Sequence, residues 1–458
     1  MTDNIRIEVG AVINDGAISR FQYVIFTICI LIVMCDGFDT QAVAYTAPSI
    51  AAAWNLAPGS FGTVFAAVLI GAMLGALAFG YLGDKFGRKR ILALTVVLFS
   101  LLNIASAYAP SITPFIVLRF ICGIALGGAL PNLVALVAEY APARKRATLV
   151  ALTWGGFSLG AVVGGLISVP LISKFGWTSV FLAGGILPLC LLPFIFFILP
   201  ESIKFLIVAR QNAAAVASIL NKIDPRRRFA DNSAFFLDEV QPGQGKVSAL
   251  FKNGLAIGSI FLCLAYFMSL LLFYFLINWI PLLLRQAGLP LQDALMGTII
   301  FNFAGVIGSI FFTQLIDRKV AKPVTILGSL YFAGALAVFS IGYVEMAFWP
   351  IMSTLSLSGF LIIGAQISLG SYIANYYPTS IRGTGVGWAV LIGRSGSLSG
   401  VLIGGVLVSL GLTPAQLFQT SSVVPLLACI SLLIFVKFSP RDSNDDASIL
   451  KPETAGAG

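Results

Sequence analysis

Apolar blocks of about 20 residues recur along this chain, each closed by a short polar or charged interval. Twelve stand out, at 21–45, 61–80, 91–108, 113–138, 148–172, 180–199, 257–280, 295–316, 324–343, 349–376, 383–410 and 417–438. At ~1.5 Å rise per residue, a helix of that length crosses the hydrocarbon of a bilayer. Lipid offers no partner to backbone N–H and C=O groups, so such blocks fold as helices. The pattern predicts an all-α membrane protein with twelve transmembrane helices.

The longest polar interval, 200–254, has six spans on either side. It carries the charge run Asp224-Pro225-Arg226-Arg227-Arg228 and the turn-rich Gln241-Pro242-Gly243-Gln244-Gly245. That is the composition of a solvated linker without chemistry of its own. A short amphipathic helix fits within Ile203–Ile223. The expected organisation is a tail at 1–20, a six-helix bundle at 21–199, the linker at 200–254, a second six-helix bundle at 255–438 and a tail at 439–458. The halves echo each other. Tyr140-Ala141-Pro142 to Arg146-Ala147-Thr148 parallels Tyr376-Tyr377-Pro378 to Arg382-Gly383-Thr384 at an offset of 236, as Gly128-Ala129 parallels Gly364-Ala365. Asp84-Lys85 parallels Asp317-Arg318 at an offset of 233. Two six-span repeats with a site between them is the plan of a secondary transporter.

Charge then sets orientation. Of the 28 Lys and Arg, 24 fall in the segments that are cytoplasmic if the N-terminus is inside. Lys174 and Arg285 fall outside, and Arg119 and Arg394 within spans. This asymmetry puts both termini in the cytoplasm. It also accounts for the net charge of +9 without nucleic acid, since basic loops face anionic lipid. The 458 residues, 58% hydrophobic and 10% charged, exclude a soluble domain. No histidine is present, so proton chemistry must use carboxylates. The six cysteines lie singly in apolar runs, so neither disulfides nor a metal site is expected. No cofactor motif or catalytic triad is seen, so the chain is not expected to be an enzyme.

Charges at membrane depth carry the chemistry. Asp36 and Asp39 in Asp36-Gly37-Phe38-Asp39 cost roughly 2.5–3.5 kcal/mol each on insertion scales, and their i, i+3 spacing puts both on one helix face. Asp39 in span 1 and Arg119 in span 4 each lie six residues from the outer end, at the same depth of ~9 Å. Each needs a partner and the other is available. Arg394 lies ~16 Å deep in span 11 with no acid in the spans of its own half. An unpaired guanidinium there suits a carboxylate, held through two parallel hydrogen bonds. Glu139, at the inner end of span 4 beside Arg144, fits a gate or loop ion pair, with a proton-exit role as the alternative. Tyr266, Phe273, Tyr274 and Trp279 recur along span 7, with Trp154 and Trp388 in spans 5 and 11. They can stack on an aromatic substrate or simply pack. Gln366 and Asn132 can bind ring hydroxyls or bridge helices.

The loop Gly80-Tyr81-Leu82-Gly83-Asp84-Lys85-Phe86-Gly87-Arg88-Lys89-Arg90 allows a tight turn and close helix approach, with Asp84 able to accept from a neighbouring helix N-terminus. It lacks the spacing of a phosphate-binding loop. It resembles the signature loop of the major facilitator superfamily, with a weaker copy at Gln314-Leu315-Ile316-Asp317-Arg318-Lys319 and an Arg-x-x-x-Gly motif at Arg119–Gly123. A narrower resemblance, to the aromatic acid:proton symporter family, rests on four stretches. These are Asp36-Gly37-Phe38-Asp39, Gly127-Gly128-Ala129-Leu130-Pro131-Asn132, Ile277-Asn278-Trp279-Ile280-Pro281, and Arg382-Gly383-Thr384-Gly385-Val386-Gly387 with Gly393-Arg394. That resemblance implies that Asp36, Asp39, Arg119 and Arg394 are functional. Some relatives carry histidines in the membrane, so histidine-based coupling does not carry over here.

The expected function is proton-coupled import of a small aromatic carboxylate by alternating access, by a monomer in the bacterial inner membrane, powered by the proton gradient with no cofactor. Asp36, Asp39 and Glu139 are the candidate proton-coupling residues. Arg119, Arg394, Gln366, Tyr274, Trp279 and Trp388 are the candidate substrate ligands. Gly80, Asp84, Gly87, Arg88, Asp317 and Arg382 are the candidate inner gate. The rivals are the same machine carrying an aliphatic acid such as muconate, a drug-type proton antiporter, and a transporter-like receptor for aromatic acids.

Overall fold

A computed structural model describes residues 6–208, 212–230, 233–236, 247–251, 255–318, 320–345, 347–378 and 381–438. Among them, twelve helices are long and apolar enough to cross a membrane. In the first half they are α1 (Arg20–Trp54), α2 (Phe61–Phe86), α3 (Arg88–Ala107), α4 (Ile112–Tyr140), α5 (Ala143–Phe175) and α6 (Thr178–Phe197). In the second they are α7 (Leu255–Gln286), α8 (Leu291–Asp317), α9 (Pro323–Ile341), α10 (Phe348–Tyr376), α11 (Arg382–Ser409) and α12 (Pro414–Phe438). The first helix outruns its apolar block. It starts on a Ser19–Gln22 capping box and continues to Trp54, where Asn55 ends it in the left-handed region at φ 50°. Two spans are broken where proline removes a donor. The sixth breaks between Leu189 and Leu192, ahead of Pro193, and the twelfth at Ser422, ahead of Pro425.

The repeat in the sequence is a repeat in packing. In the first half α1 lies along α5 and α2 along α4; in the second, α7 lies along α11 and α8 along α10. Some of the close approaches recur in both halves. A Cβ on Gly123 would fall 2.3 Å from the Val68 carbonyl oxygen, and one on Gly359 would fall 2.1 Å from that of Phe301. Gly160 sits in the same way on Met34 (2.1 Å) and Gly396 on Phe267 (2.3 Å). Each second-half partner follows its first-half counterpart by 233 residues in α1 and α2 or by 236 in α4 and α5. Glycine at these crossings lets backbones touch, which is how helices associate where no hydrophobic effect drives them together.

The two halves meet at one end of the bundle. There α1, α2 and α5 contact α7, α11 and α8 respectively. Gly62 packs on Gly405, Gly165 on Ile299, and Phe65 edge-on against Trp279 with centroids 5.5 Å apart. All of these residues lie toward the ends of their helices remote from the Asp84 loop.

The Asp84 end of the first half carries a clasp absent from the hydrophobic pattern. Strand β1 (Arg6–Glu8) pairs in parallel with β2 (Ala234–Phe236), joining the N-terminal tail to the interval between the halves. A short helix, Val9–Asp15, buries Val9, Val12 and Ile13. Asn14 accepts from the Ala143 amide at 2.7 Å, capping α5, and Arg227 pairs with Asp15 at 3.6 Å. The expected helix at Ile203–Ile223 forms as two pieces, Ile203–Val208 and Ala213–Ile223. The turn-rich stretch at 241–245 and the tail at 439–458 lie outside the described residues.

Candidate functional site

Two groups of charges sit at membrane depth, and they differ in kind. In the first, Asp39 and Arg119 are each 1% exposed and lie 3.2 Å apart. The guanidinium is also satisfied by α3. Nε donates to Ser106 Oγ (3.2 Å), and Nη2 donates to Ser106 Oγ (2.8 Å), Asn103 Oδ1 (3.0 Å) and the Leu102 carbonyl (3.4 Å). Phe181 and Phe115 cover it with ring centroids 5.0 and 5.8 Å away. The other oxygen of Asp39 accepts from Cys122 Sγ at 3.5 Å. The pair anticipated from equal depth therefore forms. At 1% exposure Arg119 presents no edge to a substrate, which removes it from the candidate ligands in this state.

The second group lies between the halves. Asp36 is buried, and Thr40 donates to it at 3.5 Å. Arg394 acts electrostatically on Asp36, Tyr266 and Tyr274, so α1, α7 and α11 converge there. Tyr266 is held beside Arg394, since a Cβ on Gly393 would fall 2.7 Å from its ring. Its hydroxyl reaches Gly370 of α10, one turn from Gln366. Arg394 is half-buried and, among the described residues, makes no hydrogen bond or ion pair, and neither does the half-buried Gln366. A small hollow is lined by Thr40, which donates to Asp36, and by Val43, Phe65, Tyr274 and Asn278. Sequence reasoning missed Thr40 as a site residue. It left Tyr266 in a stripe and Asn278 in a motif, because periodicity does not tell which turn of α7 faces the partner half.

Other expected ligands are elsewhere. Trp279 is fully buried, donates to the Val401 carbonyl at 3.3 Å and packs on Phe65, so it seals the closed end instead of lining the site. Trp388 is 39% exposed, and no contact ties it to Arg394. Asn132 bridges helices, donating to the carbonyls of Phe79 (3.1 Å) and Gly128 (2.8 Å).

The loop end is a network of ion pairs. Arg88 pairs with Glu139 and, at 3.1 Å, with Asp84. Glu139 accepts in addition from Ser202 Oγ at 2.7 Å. Arg144, its expected neighbour, instead donates to the Gly16 carbonyl. Asp84 is 71% exposed and caps no helix. Glu201 takes that place, accepting from the Lys89 amide at the start of α3 (3.0 Å) and from Ser202 N (2.8 Å). Gly87, at φ 102°, makes the turn, and Gly83 lets Asn132 approach, whereas Gly80 faces open space and supports no close helix contact. Arg382 donates to the Tyr377 carbonyl at 3.4 Å. The Asp317 side chain lies outside the described residues.

Twelve helices in two equivalently packed halves, with unpaired charge between them, define a secondary transporter. The chain belongs to the Major Facilitator Superfamily, whose family model matches residues 29–401. It is a multi-pass membrane transporter and not an enzyme. Within the superfamily it groups with aromatic acid transporters. It is 38% identical to the gallate transporter of Pseudomonas putida over 93% of this chain and 94% of that one. It is 36% identical to the 4-hydroxybenzoate transporter PcaK of Pseudomonas aeruginosa over 94% and 96%. Among solved structures, the inward-open xylose transporter XylE of E. coli shares the fold, at a TM-score of 0.69 and 21% identity over 92% of this chain and 96% of that one.

Proposed function

We propose that this chain imports a small aromatic carboxylate of the hydroxybenzoate, benzoate, protocatechuate or phenylpropanoid type together with protons, by alternating access. The observation that carries the reading is Arg394, half-buried between the halves, without a hydrogen bond or ion pair among the described residues, and near Asp36, Tyr266 and Tyr274. A planar guanidinium takes a carboxylate through two parallel bonds, and the tyrosines flank the place where a ring would lie. Gln366 is within a turn of that wall and offers a partner to a ring hydroxyl. The relatives named for gallate and 4-hydroxybenzoate support an aromatic acid over muconate.

An anion entering against an inside-negative potential is opposed by ~2.3 kcal/mol per charge per 100 mV, which co-transported protons offset. Asp36 and Asp39 load those protons. Asp39 holds Arg119, and Asp36 lies near Arg394, the guanidinium that would hold the substrate. Glu139 belongs to the gate network with Arg88, Asp84, Gly80, Gly87 and Arg382, and Asp317 is the second half's counterpart of Asp84. With basic loops inside, both termini are cytoplasmic and the end where the halves touch is the periplasmic one, which fits an inward-open state of a monomer in the bacterial inner membrane.

The test is uptake of labelled 4-hydroxybenzoate into proteoliposomes under an inward proton gradient, with gallate, benzoate, protocatechuate, phenylpropionates and muconate as competitors. Concentrative uptake, abolished by a protonophore and inhibited by the aromatic acids, is expected. Inhibition by muconate alone would move the substrate to the aliphatic acids. Accumulation under the reversed gradient would make the chain an exporter, and binding without accumulation would make it a receptor.

A further inference from the structure

The cage around Arg119 contains more acceptors than one ion pair needs. Its buried guanidinium keeps its proton under all working conditions, so protonating Asp39 would leave a bare cation in an apolar setting. Four contacts from α3 oppose that. Ser106 Oγ takes two of its donors, and Asn103 Oδ1 and the Leu102 carbonyl take the remainder of Nη2. The rings of Phe181 and Phe115 supply negative π faces. None of these groups changes charge. The cage has no counterpart in the other half, where Asp39 is matched by Leu272 and Arg119 by Leu355, both buried. It belongs to the ion pair and is not part of the repeat scaffold.

We infer that Ser106 and Asn103 are positioning residues for proton coupling: they hold Arg119 in place when Asp39 takes up its proton, so that the carboxyl can cycle between charged and neutral forms without the guanidinium leaving its site. The inference rests on Asp39 being a proton carrier, as proposed above. Facing Asp39 are Arg119 and Cys122 from α4 and the backbone of Gly184 from α6, while Asn103 and Ser106 from α3 reach it through Arg119. Cys35 and Asp36 lie on its own helix, and Arg394 and Tyr274 lie beyond Asp36. Ser106 and Asn103 are thus the neutral groups that decide how tightly Arg119 leans on the ionised acid. Removing them makes the guanidinium depend on the carboxylate, so protonation of Asp39 becomes harder.

The measurement is infrared titration of carboxyl bands in the reconstituted full chain, with the Asp39 band identified by its loss in Asp39→Asn. This readout needs no substrate. In Ser106→Ala the midpoint of that band should move to acid by about one pH unit, a tenfold change, of the size expected for one hydrogen bond to a charged group. Adding Asn103→Leu should move it further, and Ser106→Thr, which restores the hydroxyl, should return it toward wild type. If the double variant fails to fold, Ser106→Ala against Ser106→Thr decides alone. An Asp39 band that titrates but ignores Ser106→Ala overturns the inference and leaves the proton role of Asp39 standing. An Asp39 band that never protonates between about pH 4 and 9 overturns that role itself, and the inference with it.

Discussion

The two halves share a scaffold and differ in chemistry. Glycine crossings recur in both, Gly123 with Gly359 and Gly160 with Gly396, yet their intramembrane charges do not. Asp39 and Arg119 in the first half are matched by Leu272 and Leu355 in the second, while Arg394 is matched by Ser158 and Asp36 by Ser269. The two intramembrane arginines have opposite settings as a result. Arg119 is sealed inside one half and bonded to Asp39 and α3, and Arg394 is half-buried at the seam, with no hydrogen bond or ion pair among the described residues. A bonded arginine contributes to the integrity of its half and to the state of its acid. An unbonded one is open to a ligand. Symmetry thus supplies the frame, and the positions that break it carry the intramembrane charges.

That contrast is broken most directly at Arg119. Arg119→Met leaves Asp39 buried without its counter-charge and should cost about 3–5 kcal/mol, read as a lower thermal midpoint in detergent, with Asp39→Leu/Arg119→Met recovering much of the loss. Arg394→Met should leave that midpoint unchanged while abolishing binding. Equal destabilisation by the two single variants would erase the distinction. Next in size, Asp39→Asn removes a coupled proton, worth about 2.3 kcal/mol per 100 mV, so gradient-driven accumulation should collapse while exchange of labelled for unlabelled substrate continues. Full accumulation in that variant would exclude Asp39 as a carrier.

Arg394→Lys sharpens the other side. The charge stays and the planar fork goes, so affinity should weaken by about 1.5 kcal/mol, roughly tenfold in Kd by equilibrium binding. An unchanged Kd would make Arg394 structural. The smallest effect is expected at the loop. Asp84 is mostly in water and bound only to Arg88, so Asp84→Asn should change stability by less than about 1 kcal/mol. It should nonetheless alter labelling of a cysteine placed near the inner end of α4, if Asp84 helps to close that end in the opposite state. Unaltered labelling would take Asp84 out of the gate.

Hydrophobic blocks are enough to read twelve helices, because lipid leaves the backbone no alternative. Equal depth from the outer ends is enough to pair Asp39 with Arg119, since two buried opposite charges at one level have few other solutions. Depth is silent on azimuth. It could not separate Tyr274, at the seam beside Arg394, from Trp279, which seals the closed end one and a half turns further on. Nor could local pattern show that Glu201, from beyond the sixth span, would take the helix-capping place open to Asp84, or that Asn14 would cap α5. Those contacts join residues about 110 to 130 positions apart, and a periodicity read within one span carries no information at that range.

The sealed end of the bundle is built without charge. Gly62 rests on Gly405 and Phe65 on Trp279, and among the described residues no ion pair joins one half to the other. Dissolved salt screens charges over about 8–10 Å at ordinary ionic strength but leaves dispersion between packed groups untouched. Contacts of that kind hold alike in dilute fresh water and in brine, so the seal between the halves is indifferent to the salinity of the medium.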